Sequence, residues 1–243
     1  MTAIITAFQF LTIFPTLIKR PFTSREMGKA VAWFPLVGLA LGGLLYVLAA
    51  WESRIFSAEI VAVLTLGAWV IFTRAFHLDG LMDTCDGLFG GFSVERRLEI
   101  MKDSRMGAFG VAAGILILLL KYAALISLSA RDLMPALVIS TTLGRWTSPL
   151  VIFTFPYVRE TGTGRAMKEN VSLREVMIAS GIALAVSWGF AAARGLWLMA
   201  VAALLAFGLG FYFMRLLEGL TGDNYGTVTE LTEVLILLAF ALR

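Results

Sequence analysis

Residues 107–128 read GAFGVAAGILILLLKYAALISL, twenty-two positions with a single charged side chain, Lys121. A helix of about 20 mostly apolar residues crosses the hydrocarbon core of a bilayer, and this run meets that requirement by itself. Working outward, six further stretches have the same character: 33–50, 59–76, 134–155, 176–192, 196–214 and 226–242. The connections between them are short, so residues 1–243 read as one transmembrane domain with no separate soluble unit. In lipid only helices or closed barrels satisfy their own backbone groups. The period-2 alternation of a barrel is missing, and no internal repeat is visible. The expected fold class is all-α: a polytopic integral membrane protein of about seven transmembrane helices.

Composition agrees. Hydrophobic residues make up 59% of the 243 and charged residues 15%, with a mean hydropathy of +0.85; soluble proteins run nearer 45–50% and about 25%. One histidine and one cysteine exclude a His-rich zinc site, a four-cysteine cluster and a disulfide framework. Residues 1–18 are apolar but carry no basic residue before Lys19. A cleaved secretory signal, which needs a basic start, is therefore not expected. Pro15 and Arg20-Pro21 interrupt this stretch, so an interfacial or partly inserted N-terminal helix is expected.

Charge placement gives an orientation. With the N-terminus inside, the segments 1–32, 77–106, 156–175 and 215–225 carry thirteen Lys and Arg. The opposite side carries four, Arg54, Arg131, Arg194 and Arg243, while Arg74, Lys121 and Arg145 fall within spans. Basic residues in short loops stay on the cytoplasmic side, so the polar, motif-bearing loops are expected there, at an inner membrane.

One of those loops holds His77-Leu78-Asp79-Gly80-Leu81-Met82-Asp83-Thr84-Cys85-Asp86-Gly87. On a helix Asp79, Asp83 and Asp86 fall at about 0°, 40° and −20°, with Gly90 at about 20°. Three like charges on one face repel and are costly to desolvate at a membrane boundary. A divalent cation offsets that cost, and hard oxygen ligands select Mg²⁺ or Mn²⁺. The alternative is a solvated acidic loop whose glycines only form turns. For His77 the alternatives are catalysis and a simple capping or hydrogen-bonding role.

A second polar stretch runs from Glu95 through Asp103-Ser104-Arg105 to Gly107. Ser93 is a candidate N-cap, and Leu98 with Met101 suggests an amphipathic helix lying on the interface. Arg96 and Arg97 either form a basic surface that reads anionic lipid or join the site. Asp103 and Arg105 are placed to complete a metal–phosphate site, since guanidinium binds phosphate oxygens bidentately. The third cluster is Thr221-Gly222-Asp223-Asn224-Tyr225-Gly226 with Glu230 and Glu233, on one helical face. Ionisable groups entering a span are functional by default; the competing reading pairs these glutamates with Arg145 or Lys121. A loop with Arg159, Gly162, Gly164 and Arg165 adds amides and bases suited to phosphate.

Carboxylates for a divalent metal, arginines for phosphates and no acyl-transfer triad point to phosphoryl transfer, which needs positioning and charge neutralisation above all. Asp83-Thr84-Cys85-Asp86-Gly87 matches the opening of the CDP-alcohol phosphotransferase motif, but the Ala-Arg and second Asp pair that continue it are absent. A lipid-directed phosphotransferase of that type is one alternative. A cation-coupled transporter lined by Glu230, Glu233, Lys121 and Arg145 is another, although coupling sites lie near the midplane and most of these acids sit at span ends.

A fuller resemblance covers nearly the whole chain. Phe34-Pro35-Leu36-Val37-Gly38, the His77–Gly87 block, Leu98-Glu99-Ile100-Met101-Lys102-Asp103-Ser104-Arg105 before Gly107, Tyr157 with Arg159, and Thr221-Gly222-Asp223 with Gly226, Glu230 and Glu233 together resemble the cobalamin synthase (adenosylcobinamide-GDP ribazoletransferase) family. Met82, and Glu218 and Leu220 before Thr221, depart from the family pattern. The resemblance implies an Mg²⁺-dependent enzyme joining adenosylcobinamide-GDP to α-ribazole or its 5′-phosphate, giving adenosylcobalamin or its 5′-phosphate and GMP. It implies metal binding at Asp79, Asp83, Asp86, Asp103, Asp223 and Glu230, and phosphate contacts at Arg105 and Arg159. Catalytic roles fall to His77, Asp83 and Asp86. The expected partners are these substrates and membrane lipid, without nucleic acid; monomer and oligomer are both compatible with the sequence.

Overall fold

The chain breaks into helices where its polar residues supply caps and its loops supply turns. The computed structural model describes residues 2–14 and 16–242, so the predicted interruption at Pro15 lies outside the described residues. In order these residues form α1 (Thr2–Leu11), α2 (Ser24–Ala30), a 3-10 turn (Val31–Trp33), α3 (Phe34–Glu52), α4 (Ala58–Phe72), α5 (Phe76–Gly90), α6 (Val94–Ile100), α7 (Ala108–Ser127), α8 (Ala130–Thr154), α9 (Thr163–Asn170), α10 (Leu173–Leu217) and α11 (Gly222–Ala241). No strand forms among the described residues; Tyr157 and Leu220 make an isolated parallel bridge.

Helix α8 is the central post, with Ala136 to Pro149 buried throughout. Small residues let α3 approach it closely, as packing in lipid requires. A Cβ at Gly38 would stand 2.3 Å from the Thr141 carbonyl oxygen, and one at Gly42 2.5 Å from Thr141 Oγ1. The Thr141 hydroxyl donates back to the Gly38 carbonyl at 2.7 Å. Leu41, Leu45, Leu137, Leu143, Ala183 and Leu237 belong to the main core around this post. The outside is apolar as well: Trp188, Trp197, Leu204 and Phe211 are exposed, a surface that only lipid or another apolar partner solvates.

All seven predicted stretches coincide with helices, but length and hydropathy single out four: Ser24–Glu52, Ala108–Ser127, Ala130–Thr154 and Leu173–Leu217. A fifth is obtained if α4 and α5, bent by 86°, are taken together as one span. The count of seven is therefore not reproduced on this measure: α4 has only 15 residues, α11 carries Asp223, Glu230 and Glu233, and the stretches 176–192 and 196–214 both fall in α10, which counts once. Within α10, Ala192 leaves helical geometry (φ 45°, ψ −129°). A Cβ at Gly195 would meet the Ser187 carbonyl oxygen at 1.9 Å, a contact that a straight helix forbids across eight residues. The two arms therefore fold back on each other where the sequence predicts two spans.

The turn between α4 and α5 positions the polar motif. Arg74 and Ala75 both adopt positive φ, 54° and 53°, a region non-glycine residues rarely visit. The Arg74 guanidinium donates to the carbonyls of Gln9 and Phe10 at 3.1 and 2.9 Å, tying the bend to the end of α1. At 10 residues, α1 is too short to cross a bilayer, in keeping with an interfacial or partly inserted segment. Helix α6 begins at Ser93, whose hydroxyl accepts from the Arg96 amide at 3.2 Å, as its sequence predicts.

Candidate active site

Helix α5 carries the acidic motif and lies against α11 through a glycine on each side. A Cβ at Gly80 would come within 2.9 Å of the Asp223 carbonyl oxygen, and one at Gly226 within 3.0 Å of the His77 carbonyl oxygen. At both positions the absent side chain lets the two backbones approach this closely. Polar side chains then fix the register. The Thr227 hydroxyl donates to Thr84 Oγ1 at 2.9 Å, and Asn224 Nδ2 donates to the same oxygen at 3.2 Å. Thr221 and Asn224 form a capping box at the start of α11.

This crossing brings Asp223 to the acids of α5. Asp79 is exposed, while Asp83 and Asp223 are partly buried. Asp83 feels the charges of Asp79, Asp223, Arg159 and Asp86, and Asp223 feels those of Arg159 and Asp79. Arg159 Nη2 donates to Asp223 Oδ2 at 2.6 Å and to the Met101 carbonyl at 3.2 Å, so it joins the end of α6 to the start of α11. The loop that carries it is held by backbone bonds from Val158 N to the Leu220 oxygen and from Leu220 N to the Pro156 oxygen, at 3.0 and 2.9 Å.

Asp86 shares the predicted face of α5 but has other partners. Its carboxylate accepts from the backbone amides of Gly107 and Gly110 at 2.7 and 2.8 Å. It is therefore the anion at the N-terminus of α7, where free amides and the helix dipole favour negative charge. Glycine is needed at both positions, since a Cβ would stand 2.3 and 2.4 Å from the Asp86 oxygens.

Asp103 and Arg105 lie nearby in the loop before α7, paired at 2.6 Å. The Arg105 side chain and amide hold the Asp103 carboxyl down to about 2. Both line an open cleft of about 470 Å³ with Asp86, Arg96, Glu99 and Gly107. Arg96 pairs with Glu99 at 2.6 Å. Arg97 donates to the Gly91 and Leu216 carbonyls, both at 3.0 Å, so it clamps α6 to α10.

His77 is buried, 4% exposed, and lines a small cavity of about 30 Å³ with Ser148, Gly164, Gly222, Tyr225 and Gly226. Its Nδ1 and the Tyr225 hydroxyl are buried without a partner among the described residues, and the space suffices for about one water. Glu230 is not brought to the aspartates. It accepts from Lys121 Nζ at 2.7 Å inside the bundle, and Glu233 pairs with both Lys121 and Arg145; this is the pairing the sequence offered as the alternative to metal binding. Thr227 and Gly110 are the participants sequence reasoning missed, and Thr84 and Tyr225 stood in its motifs without a role. Only the Thr221–Asn224 capping spacing hinted at how α11 begins.

The profile of the cobalamin-5-phosphate synthase family matches residues 3–241. The chain belongs to this family. Its relatives include the adenosylcobinamide-GDP ribazoletransferases of Pseudomonas fluorescens, 38% identical over 240 residues with 97% of both chains covered, and of Roseiflexus, 35% identical with 97% of this chain and 88% of the relative covered. The Vibrio cholerae protein of the same name is 37% identical, with 96% and 92% covered. No solved structure matches. As a cobalamin-5-phosphate synthase family member, the chain is a transferase of cobalamin biosynthesis with membrane helices. The family match extends over the motif blocks of α5, the α6–α7 loop and α11 alike.

Proposed function

We propose that the chain joins adenosylcobinamide-GDP to α-ribazole or its 5′-phosphate, releasing GMP, and that it does so with Mg²⁺. The observation that carries this reading is the meeting of Asp79 and Asp83 on α5 with Asp223 on α11, beside the Arg159 guanidinium. Among the described residues no three His, Cys, Asp or Glu side chains form a ready-made metal set. Mg²⁺ is commonly held by one or two carboxylates plus substrate phosphates and water. Asp79 and Asp83 have the right donor chemistry, and among the described residues neither takes part in an ion pair. Asp223 is the third candidate. Asp86 is left out because backbone amides engage both of its oxygens, Glu230 because Lys121 engages its Oε2 inside the bundle, and Asp103 ranks behind because Arg105 engages it.

The reaction moves one bond. A ribose hydroxyl of the ribazole attacks the phosphorus on the cobinamide arm, the bond from that phosphorus to the GMP oxygen breaks, and GMP leaves with the electron pair. A bound divalent cation would neutralise charge on the diphosphate. Arg159 and Arg105 would hold phosphate oxygens, each exchanging a carboxylate for a phosphate of like charge. His77, the only imidazole in the chain, is the candidate acceptor of the hydroxyl proton or a substrate contact, with Nδ1 free in its cavity.

The basic bias of the motif-bearing loops supports an inner-membrane protein with its site on the cytoplasmic face, and the exposed apolar belt supports lipid as its surroundings. The transporter alternative gains nothing from Lys121, Arg145, Glu230 and Glu233, which are engaged with one another. The test is GMP release by the purified protein in nanodiscs, supplied with the corrinoid-GDP substrate, α-ribazole and Mg²⁺. Dependence on a cytidine nucleotide in place of the GDP substrate would overturn the reading.

A further inference from the structure

Four ionisable side chains lie buried in the bundle, outside the Asp79–Asp83–Asp223 group. Lys121 of α7 is 3% exposed, Arg145 of α8 1%, Glu230 of α11 5% and Glu233 of α11 0%. Lys121 Nζ donates to Glu230 at 2.7 Å and also to Glu233, which pairs in turn with Arg145. The ammonium also sits 4.4 Å from the centre of the Trp69 ring on α4. Two positive and two negative charges thus balance within one enclosed network spanning three helices. Helix α8 makes room for it at Gly144, where a Cβ would stand 2.8 Å from Glu233 Cγ.

Taking one partner out of such a network leaves a buried charge uncompensated, whereas neutralising an opposite pair together does not. Polar side chains between helices in lipid also fix which faces meet. The glutamates lie on the same helix as Asp223, with Glu230 two turns along the same face. A rotation of α11 that moved Glu230 off Lys121 would therefore carry Asp223 away from α5.

We propose that Lys121, Arg145, Glu230 and Glu233 are positioning residues: their charge-balanced quartet fixes the rotation of α11 against α7 and α8 and so holds Asp223 opposite Asp79 and Asp83. The inference deepens the reading of those three aspartates as the reaction site and rests on it.

The test uses two readouts. In a Cys85→Ser background, Thr84→Cys with Thr227→Cys forms a cross-link between α5 and α11, since these hydroxyls lie 2.9 Å apart. Adding Lys121→Met is expected to lower the cross-linked fraction at least fivefold in the folded, detergent-solubilised chain. Without the cysteine pair, the same substitution is expected to lower kcat per folded molecule at least tenfold and to leave the KM for α-ribazole within about twofold. Lys121→Met combined with Glu230→Gln restores charge balance and is expected to return both readouts to within threefold of the starting protein. If Lys121→Met alone does not fold, Glu230→Gln, which keeps the Lys121–Glu233 contact, serves as the single variant. Single variants with unchanged cross-linking and kcat would overturn the proposal, as would a double variant that fails to fold or does no better than the single. Loss of cross-linking in the single variant, with no GMP release from the wild-type chain, would instead overturn the reading of the reaction and leave the quartet's hold on α11 in place.

Discussion

Asp86 Oδ2 accepts the Gly107 amide at 2.7 Å, twenty-one residues away in sequence. This bond and its companion from Gly110 divide the predicted row of aspartates in two. Asp79 and Asp83 face α11, and Asp86 secures the start of α7. Asp86→Ala is expected to leave the α7 amides unpaired and cost about 1–3 kcal/mol of stability, seen as a lower Tm in detergent. The Mg²⁺ concentration for half-maximal GMP release is expected to stay within twofold among the molecules that remain folded. A large shift in that concentration without a loss of Tm would return Asp86 to the metal site.

Asp83→Asn keeps the size of the side chain and removes its charge. Turnover is expected to fall by at least 100-fold, about 2.7 kcal/mol of transition-state stabilisation, while the protein elutes as the wild type does. A variant working at near-full rate would take Asp83 out of the site.

The helix crossing gives a steric prediction with its own control. Gly80→Ala places a Cβ 2.9 Å from the Asp223 carbonyl oxygen, and Gly226→Ala places one 3.0 Å from the His77 oxygen. Each is expected to push α5 and α11 apart, lowering activity at least tenfold. Gly67→Ala and Gly208→Ala meet nothing within 4 Å and are expected to be neutral in expression and rate. Equal behaviour of the two sets would show that the crossing does not limit the site.

Arg159 binds the Asp223 carboxylate and the Met101 carbonyl with one nitrogen, while its Nε is buried without a partner among the described residues. Lysine offers a compact point charge and not the planar fork that meets phosphate oxygens bidentately. Arg159→Lys is expected to raise the KM for the corrinoid-GDP substrate more than it lowers kcat, read from initial rates over a substrate series. An unchanged KM would mean that this guanidinium serves only to pair with Asp223.

Asp103 titrates far below assay conditions. Its folded value of about 2 lies under the ordinary 3.8. The contribution of its charge is therefore present above the ordinary value and is lost only as pH falls through that window toward 2. Asp103→Asn is expected to change GMP release by the same factor at pH 6 and pH 8. A factor that differed between the two would mean that the Asp103 carboxyl is pushed up from its ordinary 3.8 into the assay range in the working enzyme.

Helix identity and the membrane were legible because they rest on local quantities. Residues 107–128 need no partner to be apolar, and Ser93 needs only its own N3 amide to cap α6. The reversal inside α10 was legible too, as a gap between 176–192 and 196–214 in the hydropathy of the sequence. The number of spans was not, because apolarity alone does not show that α4 stops at Phe72 and that Arg74 and Ala75 turn the chain by 86°.

Residue types and their phase are properties of the chain alone: three aspartates on one face of α5, glycines beside them, and acids at the start and middle of α11. What each acid faces follows from how the helices pack. Asp79, Asp83, Asp86, Asp223 and Glu230 are all carboxylates in helical register, and no local rule separates them. Asp86 went to two amides of α7, Glu230 to the Lys121 ammonium, and Asp223 to Arg159 and the α5 acids. The physical reason is that a carboxylate is defined by the nearest donor or cation. Those partners arrive from segments 21 to 109 residues away, brought in by glycine contacts whose pairing no one-dimensional pattern records.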